Sequence, residues 1–209
     1  MKKLVTTGIA LALGLGMTMT ASAAGDAAKG KALFATCIAC HGTDGAGNKA
    51  LNAPAIAGQE EWYLERQLKN FKEGIRGADA KDVYGAQMRP MAMTLINDQA
   101  VADVAAYAAS LPAKAAADTV TGDAAAGKAS FAVCIACHGA DAAGNKALNA
   151  PKLKGQHDWY IVRQIKNFKA GIRGANPKDI YGAQMRPMAM TVATDDIANN
   201  IAAYINSLK

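Results

Sequence analysis

Residues 26–112 recur as residues 123–209 without a gap, at a spacing of 97, and 58 of the 87 aligned positions are identical. Two copies are too few for a stacked solenoid, so the chain must fold as two similar units. We therefore expect one domain over 24–112, a linker over 113–122 (AKAAADTVTG) and a second domain over 123–209. Half of the residues are apolar, which excludes a disordered chain. Four cysteines in 209 residues exclude a disulfide-dense scaffold.

The first 23 residues stand outside the repeat. Lys2 and Lys3 precede an uncharged stretch from Leu4 to Gly25, with a compact apolar run over Gly8–Met17 and small residues at Ala21-Ser22-Ala23. This is the pattern of a secretory signal peptide, cleaved after Ala23. An uncleaved membrane anchor is the rival reading, but the stretch is rich in Gly, Thr and Ala rather than Leu. The mature chain is expected in the periplasm of a bacterium. Its charge is uneven: residues 24–112 carry 9 basic and 10 acidic groups, and residues 113–209 carry 12 and 7. Five net positive charges on an exported half-chain are too weak a signal for nucleic-acid binding.

Both halves read as helical, with almost no strand pattern. In the first, a helix is expected over Ala27–Thr36. A second runs over Trp62–Ile75, with Leu64, Leu68, Phe71 and Ile75 at helical spacing and Gly77 as the stop. A third runs over Asp98–Leu111, capped by Asn97 or Asp98 and buried along Val101, Val104, Ala105 and Ala108. The stretches Gly42–Gln59 and Ala78–Thr94 read as long irregular loops. A half of this size with so much loop buries little of its own surface, so a large apolar group is expected to complete each core.

The chemistry lies in Cys37-Ile38-Ala39-Cys40-His41 and its copy Cys134-Ile135-Ala136-Cys137-His138. Cys-x-x-Cys-His is the attachment signature of c-type haem. Two thiols at this spacing add to the two vinyl groups of one porphyrin, and the adjacent histidine reaches the iron. A zinc site would need a second cysteine pair in each half, and a redox dithiol would need a βαβ pattern; both are missing. His41 and His138 use two of the three histidines, which leaves methionine as the second axial ligand. The six methionines of the mature chain all lie in one repeated phrase, at 88, 91 and 93 and at 185, 188 and 190. His157, which breaks the repeat opposite Glu60, reads as a surface residue. Trp62 and Trp159 read as packing anchors. Arg89 and Arg186 either pair with haem propionates or face water.

These motifs, with Pro54, Gly58-Gln59, Gln67–Lys72, Gly74 and Ala105-Ala106-Tyr107 and their second-half copies, resemble the dihaem cytochrome c4 family. The resemblance covers 24–209. It implies an all-α fold of two tandem class I cytochrome c domains, each wrapped around one covalently attached haem. It implies that Cys37, Cys40, Cys134 and Cys137 bind the two haem c groups, with His/Met axial ligation. By the family's spacing the methionines are Met88, seven before Leu95, and Met185, seven before Val192. The stretch from the ligand to the final tyrosine is one residue longer than usual, which keeps Met91 and Met188 as alternatives. The carbonyls of Pro54 and Pro151 are expected to accept from the histidines. Gly30, Phe34 and Tyr107, and equally Gly127, Phe131 and Tyr204, are expected to pack first helix on last.

The function so implied is one-electron transfer rather than catalysis. The partners would be a quinol-cytochrome c oxidoreductase or small donor and a haem-copper terminal oxidase, and loose membrane association is compatible with it. The alternative is a dihaem cytochrome subunit of a sulfide-oxidising flavocytochrome c. The haem in the more positive second half is expected to have the higher potential.

Overall fold

The computed structural model describes residues 24–208. The expected signal peptide over 1–23 lies outside the described residues. Among the described residues each half contains five α-helices. In the first they are α1 (Ala27–Leu33), α2 (Ile38–His41), α3 (Glu61–Lys72), α4 (Val83–Met93) and α5 (Asp98–Ser110). In the second they are α6 (Ala124–Phe131), α7 (Ile135–His138), α8 (Asp158–Lys169), α9 (Ile180–Met190) and α10 (Asp195–Ser207). Among the described residues the only strand-like pairings are the single bridges Asn48–Ala53 and Asn145–Ala150.

The frame of each half is the crossing of its first and last helices. Asp26 starts α1 by accepting from the Ala28 and Lys29 amides, and Asn97 starts α5 by accepting from Ala100. Gly30 lies where α1 meets α5: a Cβ there would stand 1.9 Å from the Asp103 carbonyl oxygen. Gly127 meets the Asn200 carbonyl at the same distance. The contact is sealed by Phe34 against Tyr107, with ring centroids 5.1 Å apart, and by Phe131 against Tyr204 at 5.4 Å. The stripe of α5 is buried as expected, through Val101, Val104, Ala105 and Ala108.

Two expectations about the helices need correction. The stretch that carries the methionines is not an irregular loop. Residues Val83–Met93 and Ile180–Met190 are helices, so Met88 and Met185 stand on regular backbone. Gly85 and Pro90 read as breakers, yet Ala86, Gln87, Met88, Arg89 and Ala92 are strong helix formers. Asp82 also caps the start, accepting from the Gly85 amide at 3.0 Å. The second correction concerns the end of α3. It ends at Lys72, with Glu73 as its cap and Gly74 taking a left-handed φ of 70°, so Ile75 lies beyond the helix and Gly77 is not the stop.

The halves meet through matched residues. Gln59 Nε2 donates to the Lys152 carbonyl at 3.0 Å, and its counterpart Gln156 Nε2 donates to the Ala55 carbonyl at 2.9 Å. This is the pattern of an approximate two-fold axis. The match breaks at position 157. Glu60 Oε2 accepts from the Lys152 amide at 2.9 Å, whereas His157 Nε2 bonds the Ala46 carbonyl at 2.8 Å and its ring stacks on Trp159. His157 is thus an interface residue rather than a surface one. The linker is tied to both halves: Lys114 at its start pairs with Asp44 of the first, Ala116 is buried, and Asp158 of the second accepts from the Thr119 and Val120 amides.

Candidate functional site

α2 and α7 are single turns that carry the two Cys-x-x-Cys-His motifs. Each ends at a glycine with positive φ, Gly42 and Gly139 (both 79°), which turns the chain back past the histidine. The returning chain brings a proline carbonyl to the imidazole. His41 Nδ1 donates to Pro54 O at 2.9 Å, and His138 Nδ1 donates to Pro151 O at 2.9 Å. Both expected bonds are present. Burial pushes both imidazole pKa values down, against the opposing pull of the proline bond, so each ring is neutral with its proton on Nδ1. The Nε2 lone pair is then left for a metal. His138 Nε2 is buried and has no hydrogen-bond partner among the described residues. An orphaned buried polar atom is rare, and here it is the atom a haem iron would take.

Both histidines open into clefts with voids of about 170 Å³ in the first half and about 130 Å³ in the second. Folded proteins hold few voids larger than a water, so clefts of this size imply an occupant. The first is lined by Cys37, Cys40, His41, Met88 and Met91. The second is lined by Cys134, His138 and Met185. Cys137 is exposed on the same turn, and Met188 is exposed. Burial pushes the Cys134 thiol up to about 11 and raises that of Cys37, so before attachment both stand as thiols.

Sequence reasoning missed two arginines. Arg89 and Arg186 pack over Gly74 and Gly171. The clefts are instead lined by Arg76 and Arg173, each 5% exposed. Arg76 Nη1 donates to Gln67 Oε1 at 2.7 Å, and Arg173 Nη1 donates to Gln164 Oε1 at 2.6 Å. Among the described residues both Nε atoms are buried without a hydrogen-bond partner, as is that of Arg89. Neither arginine is in an ion pair among the described residues, and a buried guanidinium calls for an anion. The carboxylates of a haem would supply it. The only signal in the sequence was the repeated Gly-Ile-Arg-Gly phrase at 74–77 and 171–174.

The clefts thus fit a flat apolar group with two thioether anchors, one imidazole and a carboxylate edge. The sequence pattern of the Cytochrome c family matches residues 27–112 and again residues 124–209. The cytochrome c4 of Azotobacter vinelandii is 37% identical over 196 residues, spanning 89% of this chain and 90% of that protein. A thiosulfate dehydrogenase electron acceptor of Thiomonas intermedia is 39% identical over 153 residues, spanning 68% of this chain and 67% of that protein. The crystal structure of reduced cytochrome c4 from Pseudomonas stutzeri superposes with a TM-score of 0.72 at 32% identity, covering 89% of this chain and all of that one. With an attachment motif in each half and a relative matched over nearly its whole length, the chain belongs to the cytochrome c4 family of electron-transfer proteins, which are not enzymes, and carries two covalent haem c groups.

Proposed function

We propose that His41 with Met88, and His138 with Met185, are the axial ligands of two low-spin haems in a periplasmic electron carrier. The carrier takes electrons from a quinol-oxidising complex or a small donor and passes them to a terminal oxidase. Residues 1–23 are then the signal peptide, 24–112 and 123–209 the two domains, and 113–122 the linker. The observation that carries this reading is the second cleft, where Met185 and the orphaned His138 Nε2 line the same void and Met188 stays exposed. In the first cleft Met88 is half-buried, whereas Met91 is 42% exposed.

The haem supplies a one-electron iron couple whose potential methionine raises relative to a second histidine. The chain does the rest. Pro54 and Pro151 fix each imidazole in one tautomer, so the ligand does not rearrange between redox states. The buried guanidinium groups of Arg76 and Arg173 would hold the haem carboxylates and offset their charge. With a histidine and a methionine holding each iron, no coordination position would be left for peroxide or oxygen.

The test is carbon monoxide added to the reduced holoprotein. The expected Soret band is unchanged. A shift of about half the haem would overturn His/Met ligation at one site. A second reading is favoured by the relatives: a carrier for a dehydrogenase acting on a reduced sulfur compound, as the name of the Thiomonas intermedia protein states for that protein. Stopped-flow reduction of the oxidised protein by quinol-oxidising membranes and by a thiosulfate dehydrogenase would separate the two.

A further inference from the structure

Each half reaches across the interface with one arginine. Arg66 lies on α3 and Arg163 at the matching place on α8. Arg163 Nη2 donates to Asn52 Oδ1 of the first half, and its Cζ stands 4.1 Å from the centre of the Tyr84 ring. Arg66 does the same in reverse: Nη1 and Nη2 donate to Oδ1 and O of Asn149 at 2.9 and 3.0 Å, and Cζ stands 4.5 Å from the Tyr181 ring. Each guanidinium also lies 4.8 Å from the tryptophan four residues earlier on its own helix, Trp62 or Trp159. Such distances are well inside the range of attraction between a cation and an aromatic face.

What each arginine grips belongs to the other half's cleft. Asn52 and Tyr84 both line the first cleft, as does Arg163 itself. Asn149, Tyr181 and Arg66 line the second. Asn52 sits in the left-handed region (φ 58°), two residues before the proline that holds His41. Tyr84 sits one turn before Met88 on α4. One guanidinium therefore joins the segment that carries the histidine's proline partner to the methionine-bearing helix, and it does so from the opposite half. The hydrogen bond seats the guanidinium on that segment, and the ring of the methionine helix rests on its face.

We propose that Arg163 and Arg66 are clamps in trans: each holds the methionine helix of the other half's cleft in place, and so keeps that half's methionine on its iron. The clamp rests on the Met88 and Met185 ligation proposed above. It predicts a crossed pattern. Loss of Arg163, in the second half, loosens the first haem; loss of Arg66 loosens the second. A contact that merely glues the halves together would loosen both alike.

The experiment uses the full dihaem protein. The methyl resonances of iron-bound methionines are recorded in the reduced state and assigned by their loss in Met88→Ala and Met185→Ala. Imidazole is then titrated into the oxidised protein as a competing ligand. In Arg163→Ala the first haem is expected to bind imidazole roughly tenfold more tightly than in wild type, with the second unchanged, and Arg66→Ala to show the reverse. Arg163→Lys should fall between, since it keeps the charge and loses the planar fork. Should Arg163→Ala not fold, Tyr84→Leu removes the same grip and must reproduce the effect at the first haem alone. Equal loosening of both haems, or none, overturns the clamp. Uptake of carbon monoxide by the reduced wild type would overturn the ligation reading and the clamp with it; a wild type that refuses carbon monoxide beside variants that do not loosen overturns the clamp alone.

Discussion

Changing Asp158 to Asn tests whether one buried carboxylate seats the linker on the second half. Asp158 is 1% exposed. Its Oδ2 accepts from the amides of Thr119 at 2.5 Å and Val120 at 2.9 Å; its Oδ1 accepts from Thr119 Oγ1 and the Trp159 amide, both at 2.6 Å. Asparagine has one oxygen to offer. Its best orientation keeps the two linker amides, lets the threonine hydroxyl turn round and accept, and leaves the Trp159 amide facing another donor. One orphaned buried N–H costs about 1–3 kcal/mol, and the two remaining bonds lose their charge assistance at about 1 kcal/mol each. The sum is about 4 kcal/mol, or on the order of a thousandfold in the folded ratio. Urea unfolding followed by circular dichroism should show the midpoint of the second half falling by about 1–4 M, with the slope unchanged. The control is Glu61→Gln at the matching, exposed position of the first half, expected within about 0.5 kcal/mol of wild type. The pH dependence adds a second check. Burial alone would raise the Asp158 pKa, but its hydrogen bonds from Thr119, Val120 and Trp159 prevail and hold it below 3.8. A carboxyl lowered in the folded state contributes stability above its unfolded value and loses it as pH falls through the folded one. The gap between wild type and variant should therefore be constant above about pH 5 and close below the ordinary carboxyl range. An Asp158→Asn variant no weaker than Glu61→Gln, or a gap that persists at pH 2, would refute the reasoning.

Gly30→Ala or Gly127→Ala places a methyl 1.9 Å from a backbone oxygen, so the helix crossing must open; each is expected to cost ~3 kcal/mol or more, read as a drop in thermal midpoint with loss of haem incorporation. Met185→Ala should let one haem per chain bind carbon monoxide, while Met188→Ala should not, as seen in the Soret band. Each cleft is lined by one arginine from its own half and one from the other, but Lys152 lines the second cleft where its counterpart Ala55 lines the first. The surplus of basic groups beyond residue 113 should then raise the second haem's potential by about a few tens of millivolts, checked by a haem-resolved redox titration.

What could be read from the sequence was local. Cys-x-x-Cys-His needs only five consecutive residues, and the α5 stripe follows from helical period. The methionine helix was misread because Gly85 and Pro90 are local breakers, whereas the Asp82 cap and the tertiary setting decide the outcome. Arg76 and Arg173 carry no periodic signal. Arg163 meets Asn52 across 111 residues, so nothing near either position announces the contact. His157 was visible as a break in the repeat, and only the interface explains it: a two-fold arrangement of unequal halves allows one side to carry a carboxylate and the other an imidazole.

The crossed arginines bear on the order in which the protein matures. Arg163, Gln156 and Tyr160 of the second half wall in the first cleft. A first half standing alone would therefore present a pocket without an outer side, from which burial alone would let a porphyrin go. Two thioether bonds to Cys37 and Cys40 would retain it until the second half packs against it. Covalent attachment would thus let either half be loaded before the two have docked.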